Sequence, residues 1–359
     1  MNDWAEKTFQ KLIEKYLRTA PLAAVQNIIP YKSDGNRWAG SPSEGDAWWT
    51  GGFWPGLMWQ LYAATGQDVF RAEAVRVEKR LVNELCYFKR LYHDVGFMYL
   101  LSCGANWMFT GDRDSKRNLL HAATILAGRF NLAGSYIRAW NEDKAGWAII
   151  DSMMNLSLLF WASRETKDPR YHQIAVRHAD TALREFVRED GSCNHIVIFD
   201  PNTGRVLQKP AGQGFAAGSS WSRGQAWALY GFGTAYAFTR DLRFLETAQQ
   251  CADYYIARTP RCGVPPNDWD DPNPPTPYES SAAAIAASGL LDLATLTGDS
   301  ARAWGYRDYA LTIIATLLGP EFLADATPDW QGLLKHGIYH ARKGLGVDES
   351  VMWGEYFFL

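Results

Sequence analysis

The residues with the clearest chemical potential are polar side chains set in apolar surroundings. In Trp147-Ala148-Ile149-Ile150-Asp151-Ser152-Met153-Met154-Asn155 a lone carboxyl group stands among Ile and Met. An unpaired buried carboxylate is costly and usually raises its pKa. A raised pKa is what a general acid needs at neutral pH. The same Asp151 would equally suit a structural role, paired with an Arg or capping a helix. Asn155 lies one turn on, on the same helical face. In His93-Asp94-Val95-Gly96-Phe97, Asp94 reads first as an N-cap. In Ser220-Trp221-Ser222-Arg223-Gly224-Gln225-Ala226-Trp227, Arg223 and Trp227 are spaced to share a face, and Ser222 with Gln225 fits a capping box. A guanidinium one turn from an indole suits a ligand carrying a carboxylate and a flat ring; a surface stack of Arg on Trp is the plainer alternative.

Aromatics reinforce the ligand reading. The chain has 16 Trp, 17 Tyr and 17 Phe. Several Trp border polar residues, as in Trp48-Trp49-Thr50 and Arg138-Ala139-Trp140-Asn141, which suits sugars with their flat C–H faces edged by hydroxyls. An aromatic-rich core would explain the count equally well. Metal signals are weak. Asp268-Trp269-Asp270-Asp271 lacks an EF-hand pattern, and His336 with His340 lacks a third ligand. His172 and His178 read as surface residues of an outer helix. No G-x-S-x-G, P-loop or dinucleotide fingerprint occurs.

The elements that must position these residues are helical. Turn signals recur at Thr65-Gly66-Gln67-Asp68, Thr110-Gly111-Asp112, Thr166-Lys167-Asp168-Pro169, Thr239-Arg240-Asp241 and Thr297-Gly298-Asp299. Gly is expected to end one helix and Asp to cap the next. Before each turn lies a more apolar helix: Phe53 to Ala64, Gly96 to Met108, Trp147 to Ala162, Ser222 to Phe238 and Ser281 to Leu296. After it comes an amphipathic one, such as Val69 to Phe88 or Arg170 to Val187. With Asp3 to Leu17 and the segment from Trp353, this gives about twelve helices in six hairpins, an all-α chain closing as an (α/α)6 toroid or stacking as an open solenoid. A small β-hairpin is predicted near 193–208, from His195-Ile196-Val197-Ile198-Phe199 through a five-residue loop to Arg205-Val206-Leu207. No linker divides the chain, so residues 1–359 are read as one domain.

Composition sets outer bounds. Apolar residues make up 47% and charged residues 21%, enough for a core. A formal charge of -3 argues against nucleic-acid binding. No apolar run spans a membrane. The five Cys are widely spaced, which argues against a disulfide framework or a zinc site. With a polar N-terminus, this points to the cytoplasm.

Read together, the segments Trp49-Thr50-Gly51-Gly52-Phe53-Trp54, His93-Asp94-Val95-Gly96-Phe97, Ile149-Ile150-Asp151, Asn194-His195, Ser220 to Trp227, Ser280-Ser281-Ala282 and Trp353-Gly354-Glu355-Tyr356 are a pattern. Over nearly its full length the chain resembles glycoside hydrolase family 88, the unsaturated glucuronyl hydrolases. The resemblance implies an (α/α)6 barrel acting, without metal or organic cofactor, on oligosaccharides released by polysaccharide lyases. Such substrates carry a C4=C5 double bond in the terminal uronic acid. A carboxylic acid protonates C4, water adds at C5, and the hemiketal opens with loss of the glycosidic bond. It further implies Asp151 as general acid and base and Asp94 as the second carboxylate. Trp49, Trp140 and Trp227 would then contact or flank the sugar, and His93, His195, Gln213 and Arg223 would hydrogen-bond it. Departures occur. The family commonly carries His where this chain has Gly212, Asp at Glu279, and Asp at Gly51 of Trp49-Thr50-Gly51-Gly52.

Three other classes fit the same residues: a conventional inverting glycosidase, a sugar epimerase or isomerase, and a non-catalytic sugar-binding protein. A basic cluster of Lys335, His336, His340, Arg342 and Lys343 is expected near the mouth, either meeting an anionic sugar or simply solvated.

Overall fold

A computed structural model describes residues 3–41, 45–87, 90–325, 327 and 329–359. Apolar helices with little amphipathic contrast form an inner ring: α2 (Phe53–Thr65), α4 (Val95–Tyr99) continued by α5 (Ala105–Thr110), α7 (Ser152–Thr166), α9 (Ser222–Thr239), α11 (Ser280–Leu296) and α13 (Met352–Phe358). A π-helical turn at Leu100–Gly104 joins α4 to α5, where Ser102 Oγ donates to Met98 O. Amphipathic helices form the outer ring: α1 (Asp3–Val25), α3 (Asp68–Glu84), α6 (Arg113–Ala127), α8 (Pro169–Glu185), α10 (Leu242–Arg258) and α12 (Ser300–Leu317). Each inner helix packs on its outer partner and on its inner neighbours, and α13 closes the ring against α2 and α11. The result is the expected α/α barrel, with six inner and six outer helical positions among the described residues. The expected end of the second outer helix at Phe88 lies outside the described residues.

The two ends of the barrel differ. Inner-to-outer turns are short, and Asp112, Asp168, Asp241 and Asp299 accept hydrogen bonds from the first amides of the outer helices, as their spacing predicts. Gly66 and Gly111 adopt the left-handed conformation after α2 and α5, whereas Lys167 and Arg240 take it where no Gly is present. Outer-to-inner connections are long and carry all the described strands. These are β1 (Pro30–Asp34) with β2 (Arg37–Gly40), β3 (Phe130–Asn131) with β4 (Tyr136–Ile137), a three-stranded sheet of β5 (Trp147–Ile149), β6 (Ile196–Phe199) and β7 (Val206–Gln208), and β8 (Gly337–His340) with β9 (Leu345–Glu349).

The hairpin predicted near 193–208 is β6–β7, but β5 corrects the sequence reading. Trp147 to Ile149 do not begin the inner helix. They pair antiparallel with Ile196 to Ile198, and α7 starts only at Ser152. An unbroken apolar run is compatible with either element, and the partner strand decides. Among the described residues no helix is long and apolar enough to cross a membrane. All five Cys are free thiols.

Candidate active site

The long connections converge on a cleft of about 340 Å³, lined among others by Trp48, Trp49, Tyr92, His93, Asp94 and Trp140. Asp151, His195, Gln213, Tyr339, His340 and Lys343 complete the lining. Asp151 stands where β5 turns into α7. The Ile149–Ile196 pairing and the bond from Ile150 N to His195 O put Asp151 beside His195. His195 Nε2 lies 3.5 Å from Asp151 Oδ2, at the outer limit of hydrogen bonding, and among the described residues neither atom has another partner. Asp151 is 8% exposed and makes no side-chain cap to α7. That excludes the capping role.

The expected pKa shift of Asp151 is reversed. Burial pushes its carboxyl up, but the contact with His195 and the electrostatic influence of His195, His93 and Arg223 outweigh burial and hold it below the ordinary Asp value. The apolar sequence neighbours supply only the first of these influences; the groups that oppose it come from distant segments.

Asp94 is likewise no cap: its side chain makes no bond to the amides of α4. Asp94 Oδ1 instead lies 3.0 Å from His93 Nε2, close but off the line of a hydrogen bond. His93 Nδ1 donates to Ala139 O at 2.9 Å. Burial lowers the His93 pKa, yet the Asp94 and Asp151 charges and the Ala139 carbonyl more than compensate, so the net shift is upward. Asn155 links the two carboxylates through the backbone. It accepts from Phe97 N at 2.7 Å and donates to Asp151 O at 3.2 Å, tying the start of α4 to the start of α7. Gly96 permits this, since a Cβ there would sit 2.5 Å from Asn155 Oδ1.

The structure separates the remaining expected residues. Trp49 and Trp140 line the cleft, Trp49 donating to Tyr339 Oη at 3.0 Å and Trp140 standing edge-on to His93. Trp227 does not line it. Its ring is fully buried against Phe97 and Phe357, so it belongs to the core between inner helices. Arg223 is 1% exposed and lies behind the lining. It stacks on Trp221 and Trp353, not on Trp227, and donates to Ile338 O, Tyr339 O and Gln213 Oε1. That corrects the direct contact expected of it: its terminal nitrogens are committed to the wall of the cleft. Gln213 lines the cleft, with its carbonyl oriented by Arg223. Ser222 and Gln225 form no capping box. Ser222 Oγ donates to Asn267 O, and Gln225 Nε2 donates to Gly191 O and Cys251 O.

His178 is buried rather than at the surface. Its Nδ1 accepts from Ile137 N, and burial pushes its pKa down to about 3. Of the basic cluster, His340 and Lys343 reach the cleft, whereas Lys335 bonds Pro320 O and His336 pairs with Asp348. Burial and the nearby Lys343 and Arg223 charges lower the His340 pKa to about 4, so the ring is neutral, with a buried Nδ1 that has no partner among the described residues. Asp268 and Asp270 serve loop geometry: Asp268 accepts from Phe215 N and Ser219 Oγ, Asp270 from Ser220 N and Arg258. Among the described residues no group of His, Cys, Asp or Glu is arranged to hold a metal.

Sequence reasoning missed three contributors. Tyr339 lines the cleft from the short strand β8 and Lys144 from a loop, both too short to show periodicity. Arg129 is buried and donates to Leu91 O, Arg138 O, Ala139 O and Asn141 Oδ1, so it fixes the loop that carries Trp140 and the carbonyl that holds His93. Glu279, the departure from Asp, caps α11 through Ser281 N and Ala282 N and also accepts from Ile338 N, at the strand that leads into Tyr339 and His340.

Known proteins resemble both chain and fold. The profile of Glycosyl Hydrolase Family 88 matches residues 24–262. An unsaturated glucuronyl hydrolase from Bacillus sp. (strain GL1) is 36% identical over 318 residues, covering 87% of this chain and 84% of that protein. An unsaturated chondroitin disaccharide hydrolase from Streptococcus pyogenes is 33% identical, covering 87% and 79%. The crystal structure of the Bacillus sp. GL1 enzyme, described as responsible for the degradation of glycosaminoglycan, superposes with a TM-score of 0.92 at 33% identity over 98% of this chain and 94% of that one. A Streptococcus agalactiae unsaturated glucuronyl hydrolase variant complexed with dGlcA-GalNAc6S gives 0.81 at 28% identity, over 98% and 89%.

Proposed function

Since the chain belongs to glycosyl hydrolase family 88, we propose that it hydrolyses lyase-made oligosaccharides by hydrating the C4=C5 bond of their terminal unsaturated uronic acid, and that residues 1–359 act as one catalytic domain. The observation that carries the assignment of roles is the buried Asp151, whose Oδ2 has no partner but His195 among the described residues and which borders an aromatic cleft. Asp151 is the general acid and base. In the free protein its carboxyl is held ionised. A bound uronate brings a second negative charge into the cleft and displaces water, and both changes raise the Asp151 pKa. The proton it then carries goes to C4, and the resulting carboxylate accepts a proton from the water that adds at C5. The hemiketal at C5 opens and releases the remaining sugar.

Asp94, oriented by the His93 contact, accepts from ring hydroxyls. Trp49 and Trp140 supply the flat walls of the sugar site, and Gln213 presents its amide N–H groups. His93 and His195 flank the reacting ring. A conventional inverting glycosidase on this site would act on saturated glycosides. An epimerase or isomerase would leave the glycosidic bond intact, and a binding protein would leave the substrate unchanged. Loss of the ultraviolet absorbance of the C4=C5 chromophore on incubation with an unsaturated disaccharide, with a saturated glucuronide untouched, is the expected result. Turnover of the saturated glycoside alone would overturn the proposal.

A further inference from the structure

Gly212 occupies the cleft wall at φ +63°, in the left-handed region, beside His195. A Cβ at this position would lie 2.1 Å from His195 Nδ1 and 2.9 Å from its Cε1 and Cγ. The ring has little room to yield. It is 6% exposed, it packs on Trp221 with centroids 4.3 Å apart, and its backbone carbonyl is bonded to Ile150 N. Absence of a side chain at 212 brings the next amide into contact: Gln213 N donates to His195 Nδ1 at 2.9 Å.

An amide N–H can only donate, so Nδ1 must carry its lone pair, and the proton of the neutral ring resides on Nε2. Nε2 is the atom 3.5 Å from Asp151 Oδ2. We propose that Gly212 is a positioning residue, a side-chain-free corner that seats the Gln213 amide on His195 Nδ1 and thereby locks His195 as an Nε2–H donor to Asp151. This rests on the role given above to Asp151.

The consequence for the reaction is specific. With Nδ1 occupied and Nε2 protonated, neutral His195 has no free lone pair to take the Asp151 proton. It donates to the carboxylate that remains after C4 is protonated, and so stabilises the form that must next accept a proton from water. Asp151 therefore gives its proton to substrate and not to its neighbour. A chain bearing a side chain at 212 has to move either the His195 ring or the 212–213 peptide, and the lock is lost.

Long-range ¹H–¹⁵N correlation spectra of the free protein test this directly, with the His195 signals identified by their loss in His195→Gln. The expected pattern is the Nε2–H tautomer in the parent protein and a mixed or Nδ1–H pattern in Gly212→Ala. In kinetics with an unsaturated disaccharide, Gly212→Ala should lose roughly ten- to a hundredfold in kcat, the scale of a sub-ångström to 1 Å misplacement, with KM nearly unchanged. An Nδ1–H tautomer in the parent overturns the proposal, even if Gly212→Ala fails to fold. So does a folded Gly212→Ala that keeps the parent tautomer or the parent kcat. The tautomer is read without substrate. A parent protein with the Nε2–H form that leaves the disaccharide intact refutes the functional reading, not the lock.

Discussion

Asp151→Asn is the most direct perturbation of the proposed chemistry. The amide keeps the size of the side chain and can still accept from His195, so the fold should persist. What disappears is a transferable proton. No substitute acid is bonded in its place: among the described residues His195 Nε2 is the one side-chain donor beside Asp151 Oδ2. General acid–base catalysis contributes about 10² to 10⁴ in rate, or roughly 2.7–5.4 kcal/mol of barrier. The absence of a second donor places the expected fall in kcat in the upper half of that range. The assay is decay of the C4=C5 absorbance under saturating disaccharide, with binding followed separately by fluorescence of the cleft tryptophans. Binding should survive. The charge also carries a stability signature. Because the folded Asp151 pKa lies below the ordinary value, its ionised form stabilises the fold above pH ~4, and that contribution is lost as pH falls through the folded pKa. The melting-temperature gap between parent and Asn variant should therefore narrow in acid. Near-normal turnover by the Asn variant would refute the reasoning and leave Asp94 as the acid.

Other substitutions separate scaffold from site. Arg223→Lys replaces a two-nitrogen fork that serves three acceptors by one shorter ammonium, at about 1–3 kcal/mol for each buried group left unpaired, so denaturant midpoints should fall. A raised KM with unchanged stability would show instead that Arg223 grips the substrate carboxylate. Trp227→Ala should cost about 3–5 kcal/mol of stability, while Trp140→Ala should mainly raise KM, roughly fivefold for about 1 kcal/mol of ring contact; calorimetry and initial rates on the two variants would expose an exchange of these effects. The His93 pKa is raised in the fold, so its stabilising contribution is complete below the unfolded value of about 6.5 and disappears as pH rises through the folded value. His93→Gln should flatten the alkaline decline in melting temperature, and an unaltered decline would contradict the ion-pair assignment.

What could be read from the sequence followed the range of the interactions involved. Helix pairing and the Asp caps at 112, 168, 241 and 299 depend on neighbours within a few residues, and these were legible. Trp147-Ala148-Ile149 gives no local sign of a strand, because its strand character depends on β6, nearly fifty residues away, while the local apolar run fits a helix equally well. The same distance effect reverses the Asp151 pKa: Ile and Met neighbours predict an upward push, but His93 and His195 arrive from two other connections and Arg223 from the start of α9.

Trp227 and Trp140 make the general point in one pair. The family resemblance implies both as sugar contacts, and the polar neighbours of Trp140 point the same way. A ring on an inner helix is shared between two inner neighbours, and Trp227 is duly buried against Phe97 and Phe357. A ring on an outer-to-inner connection has no helix to cover it, and Trp140 is left facing the cleft on a loop pinned by Arg129. The residues that can meet a ligand are therefore those of the long connections, whose conformation is set by buried polar anchors rather than by periodicity. Arg129, Arg223 and Asn155 are such anchors. Each binds backbone groups of a segment remote in sequence, and each holds one wall of the site in register with the others. Substituting an anchor should thus disturb several cleft residues together, a coupling that no single sequence motif displays.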